Sequence, residues 1–471
     1  MDLYQDAIEG LRSQRGRLES DLALWTERTA PDGELPLHHS QVRRLETCIS
    51  AALAATIEGT PLEPGAASPY AGTVADLPTL RRCVGTTHLL WDFFRDKLAQ
   101  RDTLAYCTHL GVADDLAWAC YEPFLAAATE AKTIEPHELK EPPLVFFTTD
   151  RTPFAQARTK ALHPPGLDAK DLEHVIDELH RLPVPVIGMP WAVANCLADV
   201  VLVGHEAGHV VAEDLGLAKA AKDVLAGVKL DGDDEQGTRR GVWTAWCDEL
   251  FADVVGVLAT GTAFVSGLAG ELAGDPAEVE QVPIDPARPG RYPTPTLRMA
   301  VCNDVLGRLD VTPPGAWANA YPAIAGDSAA FAGDVPRVVA ELFDNAWEPI
   351  GGKRLVDVIP WSAEWETKAA TVAGEILAKL PPSVGFDVRI WVAAAMLAAL
   401  DDPQRFEANG LDDKVASYII ERRSDAVRSA DPLRTSLLAD PGVMTGAERV
   451  DALRTVDQAL GRGLGERLRS G

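Results

Sequence analysis

The chain is poor in cysteine: it has seven in 471 residues, an odd number, and none forms a CxxC pair. That excludes a disulfide framework and leads us to expect a reducing, cytoplasmic setting. Positive charge is also scarce. Against 70 acidic residues stand 44 basic ones, a formal net charge of −26, and no basic stripe interrupts the deficit. A phosphate-backbone partner would need such a stripe, so nucleic acid is excluded as a partner. Long apolar runs are missing as well. The stretch from Val254 to Gly270 holds about seventeen uncharged residues, with Gly256, Gly261 and Gly267 inside it, short of the roughly 20 that span a bilayer. It reads as a buried core helix, and we expect no membrane span. Met1–Asp6 lacks the basic-then-apolar order of a secretory leader. The sequence carries no signal of oligomeric state.

What is present suits a globular protein: 46% of residues are hydrophobic and 24% charged. Apolar residues recur at helical spacing over Leu3–Trp25, Val42–Ile57 and Leu77–Ala128, with a Pro/Gly-rich break at 60–72. Two short runs read as strands, Leu144–Thr149 and Val184–Gly188. The prolines in the second predict an edge strand or extended segment. Between them Leu167–Leu182 predicts an amphipathic helix. One long helix is expected from about Pro190 and a second over Val242–Leu268, with another from Pro295, and the chain is expected to be helical again beyond 336 with a break at Pro381-Pro382. The fold class is therefore mainly α with a small β-sheet, α+β. Four segments follow: a helical N-terminal region (1–140), a core (141–311), an Ala/Gly/Pro-rich linker (312–336) and a helical C-terminal region (337–471).

The chemistry concentrates in His205-Glu206-Ala207-Gly208-His209. Two imidazoles four residues apart on a helix point the same way and can grip one zinc ion, and Glu206 between them is placed as a base for water. A catalytic zinc needs a third protein ligand on a separate element. Downstream, Asp248-Glu249-Leu250-Phe251-Ala252-Asp253 offers Glu249 and Asp253 on one helical face, Glu249 to ligate and Asp253 to orient a histidine. The competing reading makes both ordinary surface carboxylates, but the apolar residues crowding that helix argue against it. The remaining eight of the ten histidines read as surface or core residues, and Cys196 and Cys247 as buried free thiols.

HExxH followed by Glu249-x-x-Ala252-Asp253 resembles the gluzincin metallopeptidases, in the form closest to the CAAX prenyl endopeptidase and HtpX family. Tyr292-Pro293 followed by Arg298 is similar to that family's His-Pro…Arg segment, with tyrosine in place of histidine. The resemblance covers about residues 185–300. It implies a zincin-like metallopeptidase core flanked by helical regions. It also implies one catalytic Zn2+ held by His205, His209 and Glu249, Glu206 as general base, Asp253 behind a zinc histidine, and Tyr292 or Arg298 as donor to the oxyanion. The expected activity is hydrolysis of a peptide or protein substrate, with access gated by the flanking helices and the Val184–Gly188 segment pairing with the peptide. A catalytically silent zincin-fold regulatory or interaction protein, and a metallohydrolase of a small amide, are the alternatives.

Overall fold

The computed structural model describes residues 3–30, 32–57, 73–134, 140–157, 183–194, 196–233, 237–274, 284–312, 324 and 326–427. They fall into two compact units: the described residues up to Ala99, with 183–184, belong to the first, and Gln100–Ala157 with the described residues from Pro185 to 427 to the second.

Among its described residues the first unit packs α1 (Leu3–Thr29), α2 (His39–Ile57) and α3 (Thr73–Ala99) against one another. Ile8, Leu11, Leu18, Leu22 and Trp25 make a buried stripe along α1 at three-, four- and seven-residue spacing. Trp91 meets Trp25 edge to face and donates its indole N–H to Asp21 at 2.7 Å. Burial of each such side chain contributes about 1.5–3 kcal/mol.

The second unit carries the HExxH motif. It opens with α4 (Cys107–Glu130), separated from α3 by residues 100–106 where the apolar pattern alone predicts an unbroken helix. A three-stranded sheet follows: β1 (Leu144–Thr148), β2 (Phe154–Gln156) and β3 (Val186–Pro190), in the order β1-β3-β2, with β1 parallel and β2 antiparallel to β3. β3 is thus the central strand, not the edge strand that its prolines suggest. Pro185 lies outside the ladder and still contributes its carbonyl, which accepts from Leu144 N at 2.9 Å, and Pro190 closes the strand. β2 has no apolar run to announce it; the Phe154 ring occupies the space that a side chain at Gly188 would need.

The expected helix from Pro190 is two 3₁₀ turns, Trp191–Val193 and Ala198–Leu202, before α5 (Val203–Asp214). After α6 (Leu217–Gly227), the expected second long helix is three: α7 (Thr238–Ala245), α8 (Cys247–Thr260) and α9 (Thr262–Glu271). The chain turns at Gly261, whose φ of 60° suits glycine. There Glu366 accepts from Thr262 N at 3.3 Å, a donor left without a helical partner at the break, and from the Trp361 indole Nε1 at 2.9 Å. Among the described residues no helix is long and apolar enough to cross a membrane. The Val254–Gly270 run is split at Gly261, and its residues from Val254 to Ala269 are buried. α10 (Pro295–Arg308) begins at a proline, as its sequence predicts. α11 (Val335–Phe343) starts inside the expected linker. α12 (Ala363–Ala378), α13 (Val388–Asp401) and α14 (Leu411–Val427) follow, with α13 capped by Asp387 accepting from Arg389 N at 2.9 Å. The helix expected over Leu167–Leu182 lies outside the described residues.

α5 sits between α8 on one side and β2 and β3 on another. Gly204 and Gly208, one turn apart, set that approach. A Cβ on Gly204 would lie 2.8 Å from Ala259 Cβ, and one on Gly208 would lie 3.0 Å from Ala252 Cα. The two helices meet nearly backbone to backbone.

Candidate metal centre

Helical periodicity places His205 and His209 on the α5 face turned toward α8, and the Gly204/Gly208 seam brings that face close to the first turn of α8. The His205 and His209 Nε2 atoms lie 3.2 Å apart, and Glu249 Oε2 sits 3.5 Å from the first and 3.7 Å from the second. A tetrahedral zinc with bonds of roughly 2.0–2.1 Å sets its ligand atoms about 3.3 Å apart, so these three atoms approximate one face of such a tetrahedron. Glu249 is only 3% exposed.

Asp253, fully buried one turn along α8, stands behind His205, with Oδ1 2.9 Å from His205 Nδ1 but out of line with the ring N–H. Arg298 on α10 donates to it twice, Nε to Oδ2 at 2.8 Å and Nη2 to Oδ1 at 2.6 Å. Phe264 of α9 stacks on the His205 ring at 6.1 Å. Glu206 is buried and has no hydrogen-bond partner among the described residues. Two buried carboxylates, Glu249 and Asp253, thus flank the histidines and one buried guanidinium, an acidic surround suited to a cation between the two imidazoles.

The electrostatics follow from this crowding. Burial alone would lower the pKa of His205, but Asp253 and Glu249 outweigh it and push it up to about 9. Burial would raise the Glu249 carboxyl, yet the two imidazoles hold it well below the usual carboxylate range. Asp253 is also lowered, with Arg298 prevailing over burial, and the Arg298 guanidinium is raised in turn by Asp253.

Of the residues singled out from sequence, His205, His209, Glu249, Asp253 and Arg298 come together, and Glu206 is buried next to His205 on α5. Tyr292 does not join them: it is 55% exposed, and its ring packs against the Arg291 guanidinium at 5.3 Å. Sequence reasoning missed Arg291, whose Nε is 3.8 Å from Glu249 Oε1; only its place beside Tyr292 hinted at it. It also missed the glycine seam, although Gly204 and Gly208 at four-residue spacing were a readable signal. Cys247 is buried as expected and Cys196 only half-buried. His109, expected as a surface or core histidine, is buried against Asp412 with Nε2 to Oδ2 at 2.5 Å, and Asp413 nearby is exposed. Asp412 also accepts from Leu197 N at 2.8 Å, which makes this pair a strut between α4, α14 and the turn before α5.

No protein-family model, curated protein or solved structure matches the chain.

Proposed function

We propose that the chain is a zinc-dependent endopeptidase of gluzincin type, with a zincin-like core around α5, α8 and the sheet. The observation that carries this reading is the convergence of His205, His209 and Glu249 ligand atoms within 3.2–3.7 Å of one another, with Glu206 buried between the two histidines in the chain and without a hydrogen-bond partner among the described residues. A zinc ion held by those three residues would supply the Lewis acid that polarises a peptide carbonyl and acidifies water. Glu206 takes the proton of the attacking water as its oxygen bonds to the carbonyl carbon. It returns that proton to the amide nitrogen as the C–N bond breaks. Asp253, pinned by Arg298, holds the His205 ring in orientation. A bound peptide strand would add to β2, the outer strand beside α5, since β3 has both edges taken. A cytoplasmic setting is supported by the free thiols of the six described cysteines. Gating by the flanking helices remains part of the proposal, because an open protease site would endanger its own cell.

The test is metal analysis of the purified protein together with Glu206→Gln. Stoichiometric zinc in both, and cleavage of a peptide library by the wild type alone, is the expected result. Absence of zinc ends the site assignment, and undiminished cleavage by Glu206→Gln ends the mechanism.

A further inference from the structure

Hydrolysis of an amide needs a donor for the charge that develops on the carbonyl oxygen, and sequence resemblance offers Tyr292 and Arg298 for it. Arg298 is buried, with Nε and Nη2 both given to Asp253. Tyr292 turns outward and contacts Arg291. Among the described residues the cations within 4 Å of Glu249 besides the histidines are Arg298 and Arg291, and they stand differently. The side chain of Arg291 is 65% exposed and its Nε lies 3.8 Å from Glu249 Oε1, too far for a hydrogen bond. No described residue accepts a hydrogen bond from it. The Tyr292 ring beneath the guanidinium limits its swing by a cation–π contact.

Glu249 therefore uses its two oxygens differently, Oε2 toward the histidines and Oε1 toward Arg291. A cation taken up at Oε2 draws down the carboxylate charge, which releases the guanidinium and its planar fork of donors for an incoming anion. Resting on the hydrolase reading above, we infer that Arg291 is the substrate-facing donor of the site, binding the oxyanion of the tetrahedral intermediate, with Tyr292 as the residue that positions it.

The test uses zinc-loaded protein and a phosphinic dipeptide, whose tetrahedral anion mimics the intermediate, beside the corresponding uncharged peptide amide. Arg291→Ala should weaken phosphinate binding by roughly 10–100-fold and leave amide binding and zinc affinity within about 2-fold. Arg291→Lys should recover part of the loss, and Tyr292→Ala should weaken phosphinate binding less than Arg291→Ala does. Because Arg291 is exposed, the melting curve should not move. Phosphinate binding unchanged in Arg291→Ala would overturn the assignment, as would an equal loss of zinc affinity, which would make Arg291 a prop for Glu249 only. If the wild type binds phosphinate through Arg291 yet cleaves no peptide, the hydrolase reading fails and the anion subsite stands. If it binds no phosphinate, both fall.

Discussion

Arg298 clasps Asp253 at two points, Nε to Oδ2 at 2.8 Å and Nη2 to Oδ1 at 2.6 Å, where both side chains are almost wholly withdrawn from solvent. Asp253 Oδ1 in turn lies 2.9 Å from His205 Nδ1, so the guanidinium on α10 reaches an imidazole on α5 through a carboxylate on α8.

Removing that clasp leaves a buried carboxylate unpaired. Arg298→Ala should destabilise the protein by about 3–5 kcal/mol and weaken zinc binding by roughly 10–100-fold, read by urea unfolding and competitive zinc titration. Arg298→Lys, which keeps charge but not the fork, should fall between. Unchanged zinc affinity in Arg298→Ala would show that Asp253 holds His205 unaided.

The His205 pKa, raised from 6.5 to about 9, gives metal-free protein a pH signature. A raised folded-state value adds stability that is complete below pH 6.5 and lost as pH climbs through 9. The Tm of metal-free protein should therefore fall between pH 7 and about pH 9.5, whereas zinc-loaded protein, whose His205 carries no proton on the ligating nitrogen, should lack that fall. Apparent zinc affinity should rise over the same interval, with proton release measurable by calorimetry in buffers of different ionisation enthalpy. A flat Tm profile for metal-free protein would refute the shift.

At the α5–α8 seam, Gly204→Ala and Gly208→Ala each gain about 1 kcal/mol of helix propensity and lose about 1–3 kcal/mol to overpacking against Ala259 or Ala252. The double variant should be destabilised by up to about 4 kcal/mol and should bind zinc more weakly, because α8 must back away with Glu249. A double variant more stable than wild type with unaltered zinc affinity would mean that the seam is looser than the distances indicate.

Glu366→Ala provides a contrast. It strips the groups at the Gly261 break of their acceptor and should cost about 1–3 kcal/mol. Glu206, Glu249 and the histidines are untouched, so zinc stoichiometry should hold. Loss of zinc here would tie the break to the site more closely than their separation along the chain suggests.

Much of this was legible in the sequence, for physical reasons. His205 and His209 declare a shared face by spacing alone, and Glu249 and Asp253 do the same on a helix too apolar to be exposed. The helix from Pro295 and the break at Pro381-Pro382 follow from backbone constraints that any proline imposes. Other features depend on contacts between distant segments. β3 is central because β1 and β2 arrive from elsewhere, and local propensity sees only its prolines. α8 and α9 separate at Gly261 because Glu366, more than a hundred residues later, receives the groups the break exposes. Arg291 enters through a loop whose path the sequence does not dictate.

The glycine seam has a further consequence. Where two helices are held apart by large side chains, their separation drifts whenever those side chains mutate or change rotamer. Here the spacer between α5 and α8 is the polypeptide itself, so the distance from the imidazoles to Glu249 is inherited from covalent geometry. The surrounding core can accumulate substitutions that raise or lower overall stability while the span between the three ligand atoms stays the same.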